Sequence, residues 1–446
     1  MFTLDSAQLG YRKHFRTNPI DSLGGLLRQP SGKSNYDSMM VDSGRQRSVT
    51  GSVEAQSAGG SQSALLIGGI PFADGRSMLR YGLELGNALR SKLGAGWTFQ
   101  DCNAAPADLT RTLQGQLGYR AATALVRYIG YPVKASRLEA DVFHILDHAY
   151  AHLLLSLDSR RSVVTCHDLI PLLISRGVLD IPMPSHVGWS FFFRMRLMKR
   201  AAYIISDSES TRRDILEYLE IDPERVVTIP IGVSQAFHVA GDRERSIQLR
   251  SRLGIPQDAK VVLTVSGNLR YKNIPSILRA MDILARQRGI NVRFLRAGGD
   301  FSRQEKQLIK ELGLGDCVQY AGSPATDEDL AHLYRLADVF AFPSLYEGFG
   351  WPPLEAMRCG TPVVASNAGS LPEVLGGAAL LVDPKDSLGL ADALETLMQN
   401  PSLHAEMAAR GLKRAGQYTW DRTAEQTRDV YQRVMKECGR PSVSGR

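Results

Sequence analysis

Residues 343–366, PSLYEGFGWPPLEAMRCGTPVVAS, constrain the fold more than any other stretch of the chain. They read as loop, helix, turn and strand. In the loop, Gly348 and Gly350 flank Phe349. Glycines let a backbone approach a ligand closely and expose its N–H groups. Trp351-Pro352-Pro353 opens a helix, because the N–H that proline lacks would be an orphan in the first turn anyway. Gly360 falls where a left-handed cap belongs, and Thr361-Pro362 stops the helix. Val363-Val364-Ala365 then has the look of a short, buried parallel strand.

The chemistry of this stretch lies in two carboxylates and one helix end. Glu347 sits in the loop, and Glu355 sits eight residues on, in the helix. A helix N-terminus carries partial positive charge and free N–H groups, so it favours a phosphate. A carboxylate beside a phosphate would repel it unless the carboxylate faces something else. Sugar and ribose hydroxyls suit it, since an ionised carboxylate accepts two of them. Loop, helix end and acid pair together point to a nucleotide-sugar site. Two glutamates eight apart, taken alone, fit an ordinary helix–strand connection with surface acids equally well.

The spacing gains weight from its surroundings. Glu347 and Glu355, with EGFG, PPLEAM, CGTPVV and the later Gly369-Ser370-Leu371-Pro372-Glu373-Val374, resemble the family 4 retaining glycosyltransferases over residues 63–436. The motif around the two glutamates is specific, and the N-terminal half matches more loosely. The resemblance implies an α/β chain of GT-B fold. Two Rossmann-like doubly wound domains would face a central cleft, and a C-terminal helix would cross back onto the first domain. It also implies transfer of a hexose, of mannose or glucose type, from a GDP- or UDP-sugar with retention at the anomeric carbon. Glu347 and the backbone of Gly348, Phe349 and Gly350 would orient the donor sugar, and Glu355 would hold ribose hydroxyls.

Length and composition agree with this and exclude alternatives. A chain of 446 residues with 43% hydrophobic side chains accommodates two or three globular domains. Five scattered cysteines lack CxxC spacing, which argues against a disulfide framework and a zinc site and fits a reducing cytosol. A net charge of +7 suits anionic ligands, such as nucleotide diphosphates, or an anionic membrane surface, and does not call for nucleic acid. No apolar run approaches the ~18 residues that span a bilayer, and no signal-peptide pattern opens the chain. The expected location is cytoplasmic, with peripheral contact at the inner membrane face as the open alternative.

Along the chain, residues 1–62 are rich in Ser, Gly, Gln and Arg and are expected to be a disordered extension, with a docking tail as the alternative. An acceptor-side domain is expected over 63–240. ALLIGGI at 64–70 predicts its first buried strand. The loop PFADGRSMLRY contains Gly75 but no Gly-Gly pair, which departs from the family, and a helix over 78–90 follows with Leu79, Leu83, Leu85 and Leu89 partly on one face. Strands at 141–146 and 162–166 end in Asp147-His148 and His167-Asp168, where open α/β sheets place their ligands. His144 reads as a core residue. His167, in His-Asp-Leu-Ile-Pro, matches the segment that supplies an active-site histidine in the family, and Asp168 joins the acceptor side. Residues 187–202, VGWSFFFRMRLMKRAA, predict a basic amphipathic helix. It is either a core helix with a solvated basic face, the preferred reading, or a membrane-surface patch suited to a lipid-linked acceptor. A strand at 203–206 and a helix over 208–219, capped by Ser210-Thr211 or Asp207, follow.

The second domain is expected over 241–415. Lys260–Ser266 is a plain buried strand. Gly267-Asn268-Leu269-Arg270-Tyr271-Lys272-Asn273 follows it, and basic residues between a strand and a helix start make a diphosphate site. The resemblance assigns Lys272 to the diphosphate. Several family members carry Arg directly after the glycine, where this chain has Asn268, so Arg270 is the candidate to substitute. Further strands at 292–299, 318–322 and 339–343 and a helix at 330–337 repeat the alternation that defines a doubly wound sheet. Tyr418-Thr419-Trp420 and a helix to Lys436 make the crossover, within a last segment at 416–446. No Asp-x-Asp pair is evident, so no metal or other cofactor is expected. The catalytic set is His167, Lys272 and Glu347, and the expected partners are a nucleotide-sugar donor and a glycan or lipid-linked acceptor. Synthesis on a small soluble acceptor and non-catalytic sugar-nucleotide binding are the competing readings.

Overall fold

The structure, a computed structural model, describes residues 62–69, 76–93, 96–103, 118–183, 185–241 and 243–439. The expected N-terminal disorder and Gly75 lie outside the described residues. Two six-stranded sheets carry the chain. The first contains β1 (Gln62–Ile67), β2 (Trp97–Cys102), β3 (Val142–Ile145), β4 (Ser162–Cys166), β5 (Tyr203–Ser206) and β6 (Val226–Thr228), in the order β2-β1-β3-β4-β5-β6. The second contains β7 (Lys260–Ser266), β8 (Val292–Gly298), β9 (Val318–Tyr320), β10 (Val339–Phe342), β11 (Val363–Ser366) and β12 (Leu380–Val382), in the order β12-β11-β10-β7-β8-β9. Every paired strand is parallel. Parallel strands need crossovers that cover both faces, which is why β3, β4, β5, β10 and β11 are buried at every position.

The helices that bear on the cleft are α1 (Arg76–Leu93), α2 (Ser185–Met198), α3 (Glu209–Leu219), α4 (Ile274–Asp282), α5 (Asp327–Leu336), α6 (Trp351–Arg358), α7 (Leu371–Leu375) and α8 (Trp420–Cys438). Three apolar clusters follow from strand alternation. Val261 and Leu263 of β7 face a cluster that also takes in Leu85, Val163, Phe340, Leu354 and Tyr431, and so runs through both halves. Val262, between them, points to the opposite face with Ile277, Phe294 and Val364. The outer face of the first sheet packs Ile145, Val164 and Ile204 against Met195 and Met198 of α2. The crossover α8 returns to the first half, where the Tyr431 hydroxyl lies 2.6 Å from His144 Nδ1 and Lys92 pairs with Asp421 at 2.7 Å.

Several local expectations change. The buried face of α1 is Tyr81, Leu85, Ala88 and Leu89, and Leu83 is 57% exposed. Positions 81, 85 and 88 share a helical face, whereas 83 lies on another. The cap of α3 is Ser208, whose Oγ accepts from Thr211 N at 3.0 Å, rather than Ser210-Thr211 or Asp207. Strand β2 had no expectation. Its alternating, half-exposed residues suit a sheet edge rather than a continuous apolar run.

Strand order then places the site. The first sheet reverses direction between β1 and β3, the second between β7 and β10. Ligands of open α/β sheets sit beyond the strand carboxyl ends at such reversals. In the second sheet the loops there are 267–273 and 343–350.

Candidate active site

The two loops at the second reversal are tied to each other by their own chemistry. After β7 a short turn, Arg270–Lys272, ends at Asn273, which takes a left-handed φ of 56°. The Asn273 amide nitrogen donates to the carbonyls of Pro343 at 2.9 Å and Pro384 at 2.7 Å. Asn tolerates this conformation better than most residues, and Pro275 suits the first turn of α4 behind it. Leu345 N donates to Tyr271 O at 2.7 Å. The result is a fixed distance between the loops. Lys272 Nζ then reaches both oxygens of Glu347, at 2.7 and 3.0 Å. Arg270 is exposed, with no side-chain partner among the described residues.

The glycines between the glutamates have steric reasons. A Cβ on Gly348 would lie 1.9 Å from the carbonyl oxygen of His167, so only glycine lets the two loops touch. The Gly348 carbonyl accepts from Ser208 Oγ at 2.6 Å and Thr211 Oγ1 at 3.1 Å. Gly350 has a φ of 103° at the N-cap of α6. Phe349 is buried, its ring edge-on to Tyr418, and Ser370 Oγ donates to its carbonyl at 2.9 Å. The 343–350 loop thus closes onto the carboxyl ends of the first sheet.

Glu355 does not stand open. It is 2% exposed; Arg80 from α1 pairs with Oε1, and the Tyr334 hydroxyl donates to Oε2 at 2.8 Å. Arg80 also meets Asp327 at 3.3 Å and lies over the Trp351 ring at 4.2 Å. Burial and the Glu355 charge push the Tyr334 hydroxyl well above its ordinary range.

His167 presents no free nitrogen. Nδ1 donates to Asp207 Oδ2 at 2.6 Å and Nε2 donates to Leu146 O at 2.9 Å. Burial alone would lower its pKa, but the Asp207 carboxylate outweighs burial and holds it at about 9. The ring is therefore an imidazolium with both protons committed, and as held it cannot accept a proton. Its contact with the central loop is through its backbone. Asp168 stands beside it, with Oδ1 accepting from Ile170 N at 2.9 Å.

Asn268 is exposed, and its Oδ1 accepts from Arg296 Nη2 at 2.8 Å. Arg296 is completely buried on β8 and also pairs with Glu305 at 2.8 Å. Gly267, Asn268, Arg270, Lys272, Glu347 and Gly348–Gly350 thus cluster at the second reversal, with His167 and Asp168 facing them. Sequence reasoning missed Arg80, Asp207, Ser208, Thr211, Arg296 and Tyr334. The signal for Arg296 was a second arginine in the buried run VRFLRAG; the others match ordinary helix and loop residues. A cavity of about 290 Å³ lies between Pro230 and residues 414–426, with Tyr418, which packs against Phe349, in its wall. Among the described residues, no group of three or more His, Cys, Asp or Glu is placed to hold a metal, and no helix is long and apolar enough to cross a membrane.

Comparison with known proteins agrees with the two-sheet architecture. The family model "Glycosyl transferases group 1" matches residues 246–414, and "Glycosyltransferase Family 4" matches residues 114–237. The serotype-specific mannosyltransferase WbdA of Escherichia coli is 30% identical over 285 residues, covering 62% of this chain and 34% of that protein. The MMP α-(1→4)-mannosyltransferase of Mycolicibacterium hassiacum is 32% identical over 253 residues, covering 55% of this chain and 58% of that protein. The chain thus spans about a third of the first of these relatives and just over half of the second. Sucrose-phosphate synthase from Thermosynechococcus elongatus shares the fold, with a TM-score of 0.67, 22% identity, and coverage of 84% of this chain and all of that one. Two matched family models, one on each sheet, and a shared two-sheet architecture lead to one conclusion: the chain belongs to the family 4 glycosyltransferases of GT-B fold.

Proposed function

We propose that this protein moves a hexose, of mannose type, from a nucleoside diphosphate sugar to a glycan or lipid-linked acceptor in surface polysaccharide synthesis, with retention at the anomeric carbon. The observation that carries the reading is the Lys272–Glu347 pair, set between the β7 and β10 loops where a doubly wound sheet binds its ligand. The mannose preference rests on the relatives named as mannosyltransferases.

In the reaction, the bond between the anomeric carbon and the diphosphate oxygen breaks, and its electron pair leaves with the diphosphate. A new bond forms from the acceptor oxygen to the same carbon, and the acceptor proton passes to an oxygen of the departing diphosphate. Negative charge grows on the leaving group and positive character on the sugar. Lys272 and Arg270 stabilise the diphosphate, and Glu347, released from Lys272 as the phosphate takes its place, accepts from sugar hydroxyls. His167 is a positioning residue: its imidazolium fixes Asp207 and the 167–168 turn against Gly348. With these cations serving the leaving group, the step needs no divalent metal.

The lipid-linked acceptor is supported by α2. Phe191, Met195 and Met198 face the core, while Phe193 is 60% exposed beside exposed Arg196 and Arg200. An apolar ring flanked by guanidinium groups suits an anionic bilayer surface. The decisive test is a panel of GDP- and UDP-sugars scored for nucleotide release, with and without EDTA. Release from GDP-mannose that survives EDTA is expected. Release from no sugar nucleotide would overturn the reading, and loss in EDTA restored by magnesium would overturn the metal-free step.

A further inference from the structure

The carboxylate expected to hold the donor ribose is already occupied by the protein. Arg80 takes Oε1 of Glu355 and the Tyr334 hydroxyl takes Oε2. Tyr334 belongs to α5, beside α6 in the same half, so its bond is local support. Arg80 is different. It comes from α1 of the other half, 275 residues away in sequence. It is held by a second carboxylate, Asp327, at 3.3 Å, and by its seat over Trp351 at 4.2 Å and Phe237 at 5.7 Å. The Trp351 indole is itself fixed, donating to Gly232 O at 2.8 Å. Arg80 is therefore gripped by two anions and two aromatic faces, and Glu355 beneath it is 2% exposed.

A ribose diol binds a carboxylate by donating two hydroxyl protons to it. A guanidinium donates to the same lone pairs, with charge assistance. The two cannot share an oxygen that is this buried. We propose that Arg80 is a cross-cleft latch that competes with the donor ribose for Glu355, so that nucleotide binding requires Arg80 to withdraw and α1 to part from α6. The proposal rests on the donor-site reading above. It makes Arg80 a determinant of donor affinity, with an effect opposite in sign to Lys272. The nucleotide binds only the fraction of molecules whose latch is open, and its apparent dissociation constant is raised by the inverse of that fraction. If the open form is one molecule in ten, removing the latch tightens binding about tenfold.

The test is calorimetric titration of UDP and of GDP into the full chain and into Arg80→Ala, Arg80→Gln and Lys272→Ala. Arg80→Gln keeps most of the stem over Trp351 and removes the charge, so it reports even if Arg80→Ala does not fold. The expected result is tighter binding of the preferred nucleotide by both Arg80 variants, about tenfold for Arg80→Ala, despite a lower melting temperature. Weaker binding by Lys272→Ala is expected alongside. A merely structural Arg80 would lower the melting temperature and leave affinity unchanged or weaker, and that result overturns the latch. If neither nucleotide binds the wild-type chain, or if Lys272→Ala binds as wild type does, the donor-site reading itself fails, and the latch with it.

Discussion

At the scale of single residues, both glutamates of the site meet a cation of the same chain. Losing one partner of a buried pair costs about 3–5 kcal/mol when burial is complete, because the survivor is left uncompensated. Glu355 is 2% exposed beside Arg80, whereas Glu347 and Lys272 are 9% and 14% exposed. Arg80→Ala, which strands Glu355, should therefore lower the melting temperature several degrees more than Lys272→Ala, which strands Glu347, and equal drops would show that the two pairs are equally structural. His167 makes a second prediction. Its pKa rises from the ordinary 6.5 to about 9 on folding. A group whose folded pKa is raised adds stability that is fully present below pH 6.5 and is lost as pH rises through about 9. Melting temperature should fall across that window in the wild type, and Asp207→Asn, which removes the carboxylate responsible, should flatten the fall. An unchanged slope in the variant would mean that His167 is neutral in the folded protein.

At the scale of elements, the 343–366 stretch was legible because glycine and proline act locally. Gly350 and Gly360 both have positive φ, and Pro352 stands in the first turn of α6. Strands buried on both faces were legible for the same reason, since an apolar run needs no partner to be recognised. What depends on a partner far along the chain was not. Arg80 reads as one more charge on α1, and only folding brings it to Glu355. His167 was legible as a polar residue at the end of β4, but Asp207, the carboxylate that accepts its Nδ1–H hydrogen bond, is 40 residues on. For α2 the core-helix reading describes Met195 and Met198, which lie inside, and the exposed Phe193 leaves the membrane-surface reading to be tested. Phe193→Asp should leave folding intact, because the ring is exposed, and should reduce co-sedimentation with vesicles containing anionic lipid. Equal sedimentation of variant and wild type would remove the membrane contact and favour a soluble acceptor.

At the scale of the whole molecule, the 343–350 loop and α6 of the second half meet α1, the turn after β4 and the start of α3 in the first half. Contacts of different kinds join them: the Arg80–Glu355 pair, the Gly348 carbonyl under Ser208 and Thr211, and the Glu373 carboxylate accepting from Glu209 N at 2.7 Å and Ser210 N at 3.0 Å at the start of α3. The last is favourable because a helix N-terminus attracts negative charge. Under the proposed function, Lys272 serves the leaving diphosphate. The most direct measurement is steady-state kinetics of Lys272→Ala against wild type on the best donor, beside thermal melts of both. Only contacts stronger in the transition state than in the ground state speed the step. The account predicts a folded variant whose kcat falls about 10²–10³-fold, the usual cost of one such donor, with only partial rescue by Lys272→Arg. A folded Lys272→Ala enzyme with near-normal kcat/KM would contradict it.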